Sequence, residues 1–483
     1  MNEKGKTLLA ETLKREKEGA LLAASDPYRL KFHLMPKAGW MNDPNGLCQF
    51  KGVYHVFYQY SPLDAKGGMK AWGHQTTRDF IHWEHEPAPL FPDRDFDRSG
   101  VYSGSAFIHD DRMYLFYTGN VKLDGDYDYI NNGREANTIL VESGDGHRFS
   151  DKELLMTRKD YPDDYTCHIR DPKVWEEDGR FYMIQGGRKT GDTGAALIFG
   201  SQDLRHWTFE KELKTDGYFG YMWECPDYFE LDGEKVLSFS PQGLGSERYR
   251  FQNVYQSGHV VLQKSPVDFT EDDRVDESTF EEWDHGFDFY APQTFLDEKG
   301  RRILIGWAGV PDADYDNEPT VERGWQHALT LPRVLHVKNG KMIQIPVEEL
   351  EELRDEAFKI NAGEKKRLDR ETFEMAIRPE TGKEFQTVFE CGCEKIVIEY
   401  TKDCVFRLQI SEEAGRGRKL REIRVDELRS LRIFMDTSLI EIYVNDGENV
   451  FTSRFYFPRR DRTVCVEGAD RIKGWYLSEM EGN

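Results

Sequence analysis

Five turn-and-strand units recur in the first 340 residues of this 483-residue chain, and this repeat constrains the fold more than any other feature of the sequence. Each unit opens with a short polar turn and continues into a run of aromatic and β-branched residues, which is typical of a β-hairpin. The turns fall roughly every 60 residues, a spacing that indicates a repeat architecture. They begin at Lys51, Asp110, Asp178, Asp232 and Lys299.

Evenly spaced β units with few helices predict an all-β fold, and specifically a five-bladed β-propeller that spans residues 27–345. A second repeated motif supports this spacing, because the segments 77–83 and 201–207 both place a turn acid four residues before a tryptophan. The alternative is a β-sandwich with irregular strands. The regular period favours the propeller for this part of the chain.

The segments on either side of the repeat have helical patterns. Leucines among Glu and Lys in residues 8–24 predict a short amphipathic helix within an N-terminal extension, residues 1–26. After the repeat, Pro346 opens a segment with apolar residues at helical spacing. This pattern predicts a helix over Val347–Phe358, inside a linker that comprises residues 346–362.

Strand patterns resume after the linker and predict a C-terminal β-sandwich over residues 363–483. The segments Lys395–Tyr400, Val405–Ile410 and Leu439–Val444 alternate or run apolar, and Asn445–Gly447 has the composition of a hairpin turn. Edge strands of such a sandwich could mediate assembly of a homodimer. The sequence leaves the oligomeric state open.

Composition excludes several classes of partner. The formal net charge of −23 opposes binding to nucleic acid or to an anionic membrane, since both require basic surfaces. No segment approaches the ~20 consecutive apolar residues of a membrane span, and the N-terminus lacks an apolar signal segment. The seven cysteines are odd in number and mostly isolated, which is typical of reduced thiols. We therefore expect a cytoplasmic protein.

Three carboxylates occupy the same position within the repeat. Asp43, Asp171 and Glu224 each lie eight or nine residues before the second turn residue of their unit, where the other two units have Ser103 and Ala291. In a propeller the first strand of each blade lines the central channel. Residues of equal phase should therefore meet at one end of that channel.

A cluster of carboxylates is costly, because each charge raises the pKa of its neighbours, and folds retain such clusters mainly for chemistry. Paired carboxylates carry out glycoside hydrolysis. The adjoining Asn42, Arg170 and Trp223 supply the amide, guanidinium and aromatic groups that suit a sugar. The acids could instead bind Ca²⁺ or Mg²⁺. Arg170 beside Asp171 and the absence of a D-x-D-x-D loop oppose that reading, so we predict no metal site.

The motifs of the chain resemble those of glycoside hydrolase family 32, the invertases, sucrose-6-phosphate hydrolases and fructanases. The resemblance extends from about residue 30 to 480. The motifs that carry it, in order, are Trp40–Gly46, Phe57–Tyr60, Trp72–His74, Tyr102–Ala106, Arg170–Pro172, Glu224–Asp227, Phe289–Gln293, Gly306–Trp307, Leu331–Arg333 and Asp436–Gly447.

This resemblance implies roles for the residues. Asp43 would be the nucleophile that forms a fructosyl ester, Glu224 the general acid and then base, and Asp171 the residue that holds the fructose hydroxyls and stabilises the transition state. We expect burial and neighbouring acids to raise the pKa of Glu224, with Trp223 at its side, while Asp43 stays ionised. The substrate-binding residues that we predict are Asn42, Gln59, Trp72, Ser103, Arg170, Tyr290 and Trp307. The family needs no cofactor.

The resemblance therefore predicts a retaining β-fructofuranosidase that cleaves sucrose or sucrose 6-phosphate, and short fructo-oligosaccharides as further substrates. A fructosyltransferase with the same intermediate and a non-catalytic sugar-binding propeller are the alternatives. The segment Asp64–Lys70 departs from the family pattern because it lacks an aromatic residue. Gly186–Gly191 does not fit a phosphate-binding loop. Arg188 and Lys189 within it could meet a sugar phosphate, although a solvated loop is the simpler interpretation.

Overall fold

The computed structural model describes residues 1–23, 25–459 and 461–482, and in this part of the chain the fold is all-β, as predicted. The strands of the repeat region are β1 (Gly39–Phe50), β2 (Val53–Ser61), β3 (Ala71–Thr77), β4 (Trp83–Leu90), β5 (Gly100–His109), β6 (Arg112–Lys122), β7 (Arg134–Ser143), β8 (Glu153–Met156), β9 (Tyr165–Glu177), β10 (Arg180–Lys189), β11 (Gly194–Ser201), β12 (Thr208–Leu213), β13 (Met222–Leu231), β14 (Glu234–Gln242), β15 (Gly258–Leu262), β16 (Glu281–Glu282), β17 (Tyr290–Leu296), β18 (Arg302–Trp307), β19 (Trp325–Gln326), β20 (Arg333–Lys338) and β21 (Lys341–Pro346).

The remaining strands belong to the C-terminal part: β22 (Arg354–Phe358), β23 (Lys365–Arg367), β24 (Phe373–Pro379), β25 (Phe385–Cys391), β26 (Glu394–Tyr400), β27 (Val405–Ile410), β28 (Leu420–Arg424), β29 (Leu431–Met435), β30 (Leu439–Val444), β31 (Asn449–Arg454), β32 (Thr463–Glu467) and β33 (Ala469–Leu477). The α-helices are α1 (Glu3–Ala23), α2 (Glu318–Val321) and α3 (Glu412–Gly415). Short 3₁₀ helices lie at Asp95–Asp97, Arg158–Asp160, Pro266–Asp268, Glu277–Thr279, Glu348–Leu353 and Asn445–Gly447.

The repeat region folds into five sheets among the described residues. Their strands are β1–β4 with β19, β5–β8, β9–β12, β13–β16, and β17, β18, β20 and β21. The first strands β1, β5, β9, β13 and β17 contact one another in sequence, and β17 contacts β1, so the ring closes. The late strand β19 pairs with β1 in parallel, with Gly39 opposite Trp325, and ties the end of the region to its beginning. This propeller places the first strand of every sheet beside the central channel.

Each first strand contains the same irregularity in its pairing with the second strand, where two residues face one. The pairs that face a single residue of the second strand are Asn42–Asp43, Tyr102–Ser103, Asp171–Pro172, Cys225–Pro226 and Ala291–Pro292. A β-bulge of this kind bends the strand and redirects its side chains, and it accommodates proline. The positive φ angles of Asp171, Cys225 and Ala291, +65°, +47° and +48°, mark the bend. The repeat phase noted in the sequence is therefore the position of a bulge.

The C-terminal part is a sandwich of two six-stranded sheets, as predicted. One sheet has the order β22-β33-β24-β29-β30-β31 and the other β23-β32-β25-β26-β27-β28. Alternate residues of both sheets face a shared apolar core, in which Phe373, Ile398, Phe406, Ile433 and Phe451 are buried. Burial of apolar side chains is the main favourable contribution to the stability of such a sandwich.

Paired charges join the propeller to the sandwich. Arg333 Nη2 donates to Asp284 Oδ2 at 3.0 Å and to Glu441 Oε2 at 2.9 Å, and all three side chains are fully buried. His33 Nδ1 lies 2.9 Å from Asp436 Oδ2, and its Nε2 lies 3.3 Å from Glu441 Oε1. A second pair, Arg418 with Asp288, is bidentate at 2.7 and 2.8 Å. Each buried carboxylate at this interface has a cationic or imidazole partner.

The predicted linker helix is wrong beyond its first half. Glu348–Leu353 forms a 3₁₀ helix that buries Leu350 and Leu353, and the chain then continues as β22. In β22, Ala357 pairs with Trp475 and Phe358 with Gly474 of β33. This segment therefore forms a strand at the edge of the sandwich sheet rather than a helix. Helical propensity is weak, and pairing with a distant strand overrides it here.

The N-terminal helix is confirmed, and α1 begins five residues earlier than predicted. Leu8 and Leu9 pack against Ala88 and Phe91 of the first sheet. None of the helices in residues 1–23, 25–459 and 461–482 is long and apolar enough to cross a membrane. The domain boundaries at residues 26, 345 and 362 stay predictions.

Candidate active site

The structure brings the three predicted acids to one end of the channel. Asp43 lies on β1, Asp171 on β9 and Glu224 on β13, each at or beside a bulge. Arg170 joins two of them, because its Nε donates to Glu224 Oε1 at 3.0 Å and lies 3.9 Å from Asp171 Oδ2, and the charge of Glu224 raises the pKa of both aspartates. Their convergence follows from the closed ring of first strands.

Asp43 is held by two fixed donors. Ser103 Oγ donates to Oδ2 at 2.5 Å, and Asn42 Nδ2 donates to Oδ1 at 2.9 Å. The indole N–H of Trp40 in turn donates to Asn42 Oδ1 at 2.7 Å and orients that amide. Burial raises the pKa of Asp43, whereas the bonds from Ser103 and Asn42 and the charge of Lys70 oppose the rise. The bonds from Ser103 and Asn42 therefore hold the Asp43 carboxylate in one orientation before any substrate binds.

Lys70 is a site residue that the sequence analysis did not identify. Its Nζ donates to Asn42 Oδ1 at 2.9 Å and lies 4.9 Å from the centre of the Trp40 ring. Burial lowers the pKa of Lys70 to about 8, although the charge of Asp43 opposes this effect. The one available signal was its place at the end of Asp64–Lys70, the segment that departs from the family pattern.

Asp171 is the most buried of the three acids, at 4% exposure. Its backbone N–H donates to Thr118 Oγ1, and its Oδ2 accepts the backbone N–H of Cys225, both at 3.0 Å. Burial raises the pKa of Asp171 to about 7, the charges of Glu224 and Asp43 add to this effect, and Arg170 opposes it. The carboxyl group of Asp171 therefore titrates near neutral pH.

Four donors surround Glu224. Oε1 accepts Arg170 Nε at 3.0 Å and Nη2 at 2.5 Å, and Oε2 accepts the Tyr290 hydroxyl at 2.6 Å and Gln242 Nε2 at 2.7 Å. Arg170 and Tyr290 are predicted site residues. Gln242 was not predicted, because it lies at the end of the second strand β14 rather than on a first strand.

The two tryptophans expected beside the acids are both buried. Trp223 stacks on Phe239 at 4.1 Å between centroids and donates its N–H to a backbone carbonyl, so it is in the core rather than beside Glu224. Trp72 has no exposed surface, packs against Phe57 and donates to the carbonyl of Tyr102. Neighbours along a strand face opposite sides, so Trp223 does not share the face of Glu224. Trp72 lies next to Ser103 through its bond to the carbonyl of Tyr102, and its contact with a substrate stays a prediction.

The other predicted binding residues lie in or just behind the site. Gln59 is buried and donates to the carbonyl of Val101, two residues before Ser103. Trp307 lies 5.9 Å from Trp40 and 6.4 Å from Tyr290, measured between ring centroids. Its buried indole N–H has no hydrogen-bond partner among the described residues. In the same part of the chain, no group of three or more His, Cys, Asp or Glu is arranged to hold a metal ion.

Interacting carboxylates at the mouth of a propeller channel are the groups that a glycoside hydrolase uses. The family model described as "Glycosyl hydrolases family 32 N-terminal domain" matches residues 33–346, and "Glycosyl hydrolases family 32 C terminal" matches residues 358–472. The chain therefore belongs to glycosyl hydrolases family 32, and the predicted family and enzyme class are confirmed.

Known proteins with the same architecture agree with this assignment. Over 454 residues the chain is 41% identical to the sucrose-6-phosphate hydrolase of Bacillus subtilis (strain 168), a match that covers 90% of each chain. The structure is similar to that of a β-fructofuranosidase from Bombyx mori, with a TM-score of 0.84, 28% identity and complete coverage of both chains. It is also similar to the sucrose-6-phosphate hydrolase from Lactobacillus gasseri, with a TM-score of 0.83, 27% identity and 97% coverage of both chains.

Proposed function

We propose that this protein is a retaining β-fructofuranosidase that hydrolyses the bond between fructose and glucose in sucrose or sucrose 6-phosphate. One observation carries the proposal, namely the convergence of Asp43 and Glu224 at the channel mouth, each with its own set of fixed donors. Similarity to sucrose-6-phosphate hydrolases over 90% and 97% of the chain supports this substrate class.

In the first step, an oxygen of Asp43 attacks the anomeric carbon of the fructosyl unit. The bond from that carbon to the bridging oxygen breaks as the ester bond to Asp43 forms, and Glu224 donates a proton to the departing oxygen. Ser103 and Asn42 hold Asp43 in one orientation, which lowers the entropy cost of attack.

In the second step, Glu224 accepts a proton from water, and that water attacks the anomeric carbon and releases Asp43 as a carboxylate. Two inversions give net retention. The Tyr290 hydroxyl and the Gln242 amide on Oε2 keep the Glu224 side chain in place for both steps.

Asp171 acts on the sugar rather than on the reacting bond. As a carboxylate it accepts hydrogen bonds from fructose hydroxyls, and its charge stabilises the oxocarbenium-like transition state. Burial raises the pKa of Asp171 to about 7 because it destabilises the ionised carboxylate. The positive charge that develops on the sugar in the transition state therefore stabilises this carboxylate more strongly than it would a carboxylate in water.

The purified protein should release equal amounts of fructose and of glucose or glucose 6-phosphate from these substrates, measured by chromatography. Glu224→Gln should lower turnover by about 10²–10⁴-fold, the contribution of a general acid. Glu230→Gln, a control on the exposed end of the same strand, should leave turnover unchanged. Wild-type turnover in Glu224→Gln would exclude the assignment of the acid, whereas sugar binding without turnover in the unaltered protein would favour a sugar-binding protein.

A fructosyltransferase would use the same intermediate and differ only in the acceptor. The two functions are separated by the ratio of free fructose to glucose at high sucrose concentration. A ratio of one supports hydrolysis, whereas a persistent deficit of fructose supports transfer to a second sugar.

A further inference from the structure

We propose that Arg134, His168 and Arg188 form a binding site for the phosphate of a phosphorylated leaving sugar, so that the protein selects sucrose 6-phosphate over sucrose. This inference rests on the proposed function and adds the residues that decide between its two substrates. A chain of contacts defines the site. Arg170 binds Glu224, His168 contacts Arg170, Arg134 contacts the His168 ring, and Arg188 lies on β10, where the adjacent Gly187 pairs with Ile169.

His168 is neutral and organises the cluster. Its Nε2 lies 3.0 Å from the carbonyl oxygen of Tyr129, which can only accept, so Nε2 carries the proton. Nδ1 therefore accepts from Arg170 Nη1 at 2.7 Å and faces Arg134 Nη1 at 3.4 Å. Burial and the three arginines lower the pKa of His168 to about 2, in agreement with this tautomer.

Arg134 has no anionic partner in the described part of the chain. Its recorded contacts within hydrogen-bond distance are to the His168 ring, at 3.4 and 3.5 Å, and its buried Nε has no partner. Arg134 is half-buried, and this chain has 88 acidic residues against 65 basic ones with which an arginine could pair. A guanidinium left without an anion, and connected to Glu224 through His168 and Arg170, is therefore suited to an anion that comes with the substrate. Phosphate oxygens match its planar donors in a bidentate arrangement.

Arg188 provides a second donor group from the next strand. Its guanidinium lies 4.6 Å from the centre of the Tyr221 ring, and Nε and Nη2 bond Asp192, a side chain that is 66% exposed. No hydrogen bond of Nη1 to the described residues is recorded, so Arg188 keeps donor capacity. The neighbouring Lys189 is excluded from the site, because Asp164 and Glu212 neutralise it at 2.8 and 2.6 Å.

The position of the cluster indicates which of the two sugar units carries the phosphate. Glu224 gives its proton to the bridging oxygen, so the glucosyl unit must lie next to Glu224 when the bond breaks. The cluster reaches Glu224 through Arg170, whereas Asp43, which binds the fructosyl carbon, has Ser103 and Asn42 as its hydrogen-bond partners. A phosphate on the glucosyl unit, rather than on fructose, is thus the anion that these arginines would meet.

The test measures kcat/KM for sucrose 6-phosphate and for sucrose with the wild type, Arg134→Gln and Arg188→Gln. The wild type should prefer the phosphorylated substrate by at least about tenfold, mainly through KM, and Arg134→Gln should reduce this preference by about 10–100-fold. Arg188→Gln should reduce it less, since part of Arg188 is engaged by Asp192. Arg148→Gln is the matched control, as that side chain is 94% exposed, and it should leave the ratio unchanged.

Competitors distinguish the source of the phosphate. Glucose 6-phosphate should inhibit the wild type more strongly than glucose or inorganic phosphate, and Arg134→Gln should remove the difference. Equal inhibition by inorganic phosphate and glucose 6-phosphate would indicate a site for free phosphate and overturn the proposal. A substrate ratio near one in the wild type, or a ratio that Arg134→Gln leaves unchanged, would overturn it while the proposed hydrolysis stands.

If neither substrate is cleaved, the proposed function fails and the site is judged by binding alone. Calorimetric titration of glucose 6-phosphate should then give a Kd that rises at least tenfold in Arg134→Gln, and an unchanged Kd would refute the site. If Arg134→Gln does not fold, a circular dichroism spectrum will show it. Arg188→Gln then decides, with an unchanged preference for the phosphorylated sugar counting against the site.

Discussion

Two clusters of buried carboxylates lie in this molecule, one at the channel mouth and one between the propeller and the sandwich. At the mouth, Asp43 and Asp171 have raised pKa values, because burial and neighbouring acids outweigh Arg170 and Lys70. At the interface, burial also raises the pKa of Glu441, but Arg333 and His33 outweigh it and lower that pKa to about 2.

The difference lies in direct ion pairing rather than in burial, because Glu441 contacts Arg333 and His33 whereas Asp43 is hydrogen-bonded by the neutral side chains of Ser103 and Asn42. The pKa of Asp436 is lowered at the interface, where His33 and backbone N–H groups oppose the effect of burial. Asp284 shares Arg333 with Glu441, and burial raises its pKa to about 6. Direct ion pairs hold the two domains together, whereas Asp43 and Asp171, which lack a cationic hydrogen-bond partner among the described residues, can stabilise a positively charged transition state. Variants at the two clusters should therefore separate stability from catalysis.

The largest effect is expected for Asp43→Asn, which removes the proposed nucleophile. Turnover should fall by about 10⁴-fold or more, while the thermal midpoint changes little. Steady-state hydrolysis of sucrose 6-phosphate measures the first quantity and differential scanning fluorimetry the second. Asp111→Asn, in the exposed turn before β6, is the matched control. Activity within tenfold of wild type would remove Asp43 from the mechanism.

At the interface, Arg333→Met should lower the stability of the fold and leave catalysis unchanged. It leaves Asp284 and Glu441 buried without their guanidinium, and the free energy of unfolding should fall by about 3–5 kcal/mol. The folded fraction should keep its kcat, because Arg333 contacts none of the mouth acids. Urea unfolding of this variant and of Arg378→Met, at an exposed position of the sandwich, measures the loss. Equal midpoints would show that the network contributes nothing.

Asp171→Asn should stabilise the fold at the expense of activity, and the gain should depend on pH. Because the folded-state pKa of Asp171 is raised, the stability contributed by its proton is lost as pH rises from 3.8 to about 7. The variant carries no such cost, so its advantage over wild type should be about 1–3 kcal/mol larger at pH 8 than at pH 4.5. Unfolding free energies at both pH values test this. An advantage independent of pH would contradict the raised pKa.

Glu441→Gln provides the opposite case at the interface. The folded-state pKa of Glu441 is lowered, so its contribution is present above its ordinary pKa of 4.5 and is lost as pH falls towards about 2. The variant should therefore be less stable than wild type at pH 7, and the difference should shrink below pH 4.5. A difference that grows as the pH falls would have the wrong sign.

The smallest effect is expected for Lys70→Met. The charge of Lys70 lowers the pKa of Asp43. Its removal should therefore raise the apparent pKa of the acid limb, in the pH profile of kcat/KM, by about one unit. Lys66→Met, an exposed position in the same loop, is the control. Profiles measured from pH 4 to 8 in a constant-ionic-strength buffer show the shift, and superimposable acid limbs would mean that Lys70 has no electrostatic role.

Much of the fold was predictable because its signals are local. All five turns lie where the spacing placed them, and the strands that follow them are the second strands of the five sheets. Val405–Ile410 and Leu439–Val444 were predicted with the bounds that β27 and β30 have. The helix over Val347–Phe358 failed because β22 pairs with β33, which lies more than 100 residues away in the chain.

The site was predictable in its acids and less so in their surroundings. The positions of Asp43, Asp171 and Glu224 follow from the repeat, but the bulges that aim them depend on pairing with a second strand. Lys70 arrives from a loop and Gln242 from the far end of β14, and neither has a motif of its own. Trp223 was expected beside Glu224 and lies in the core, because proximity in sequence does not determine which face of a strand a side chain occupies.

By itself the sequence determined the repeat, the order of the acids along it and the family. These features depend on turn and strand preferences and on motif spacing, which are set by short stretches of neighbouring residues. Tertiary structure alone decided which carboxylates have a cationic partner, which aromatic rings are core, and where an unpaired arginine lies. These properties depend on groups tens to hundreds of residues apart, and electrostatic free energies are set by distance and burial in the folded chain.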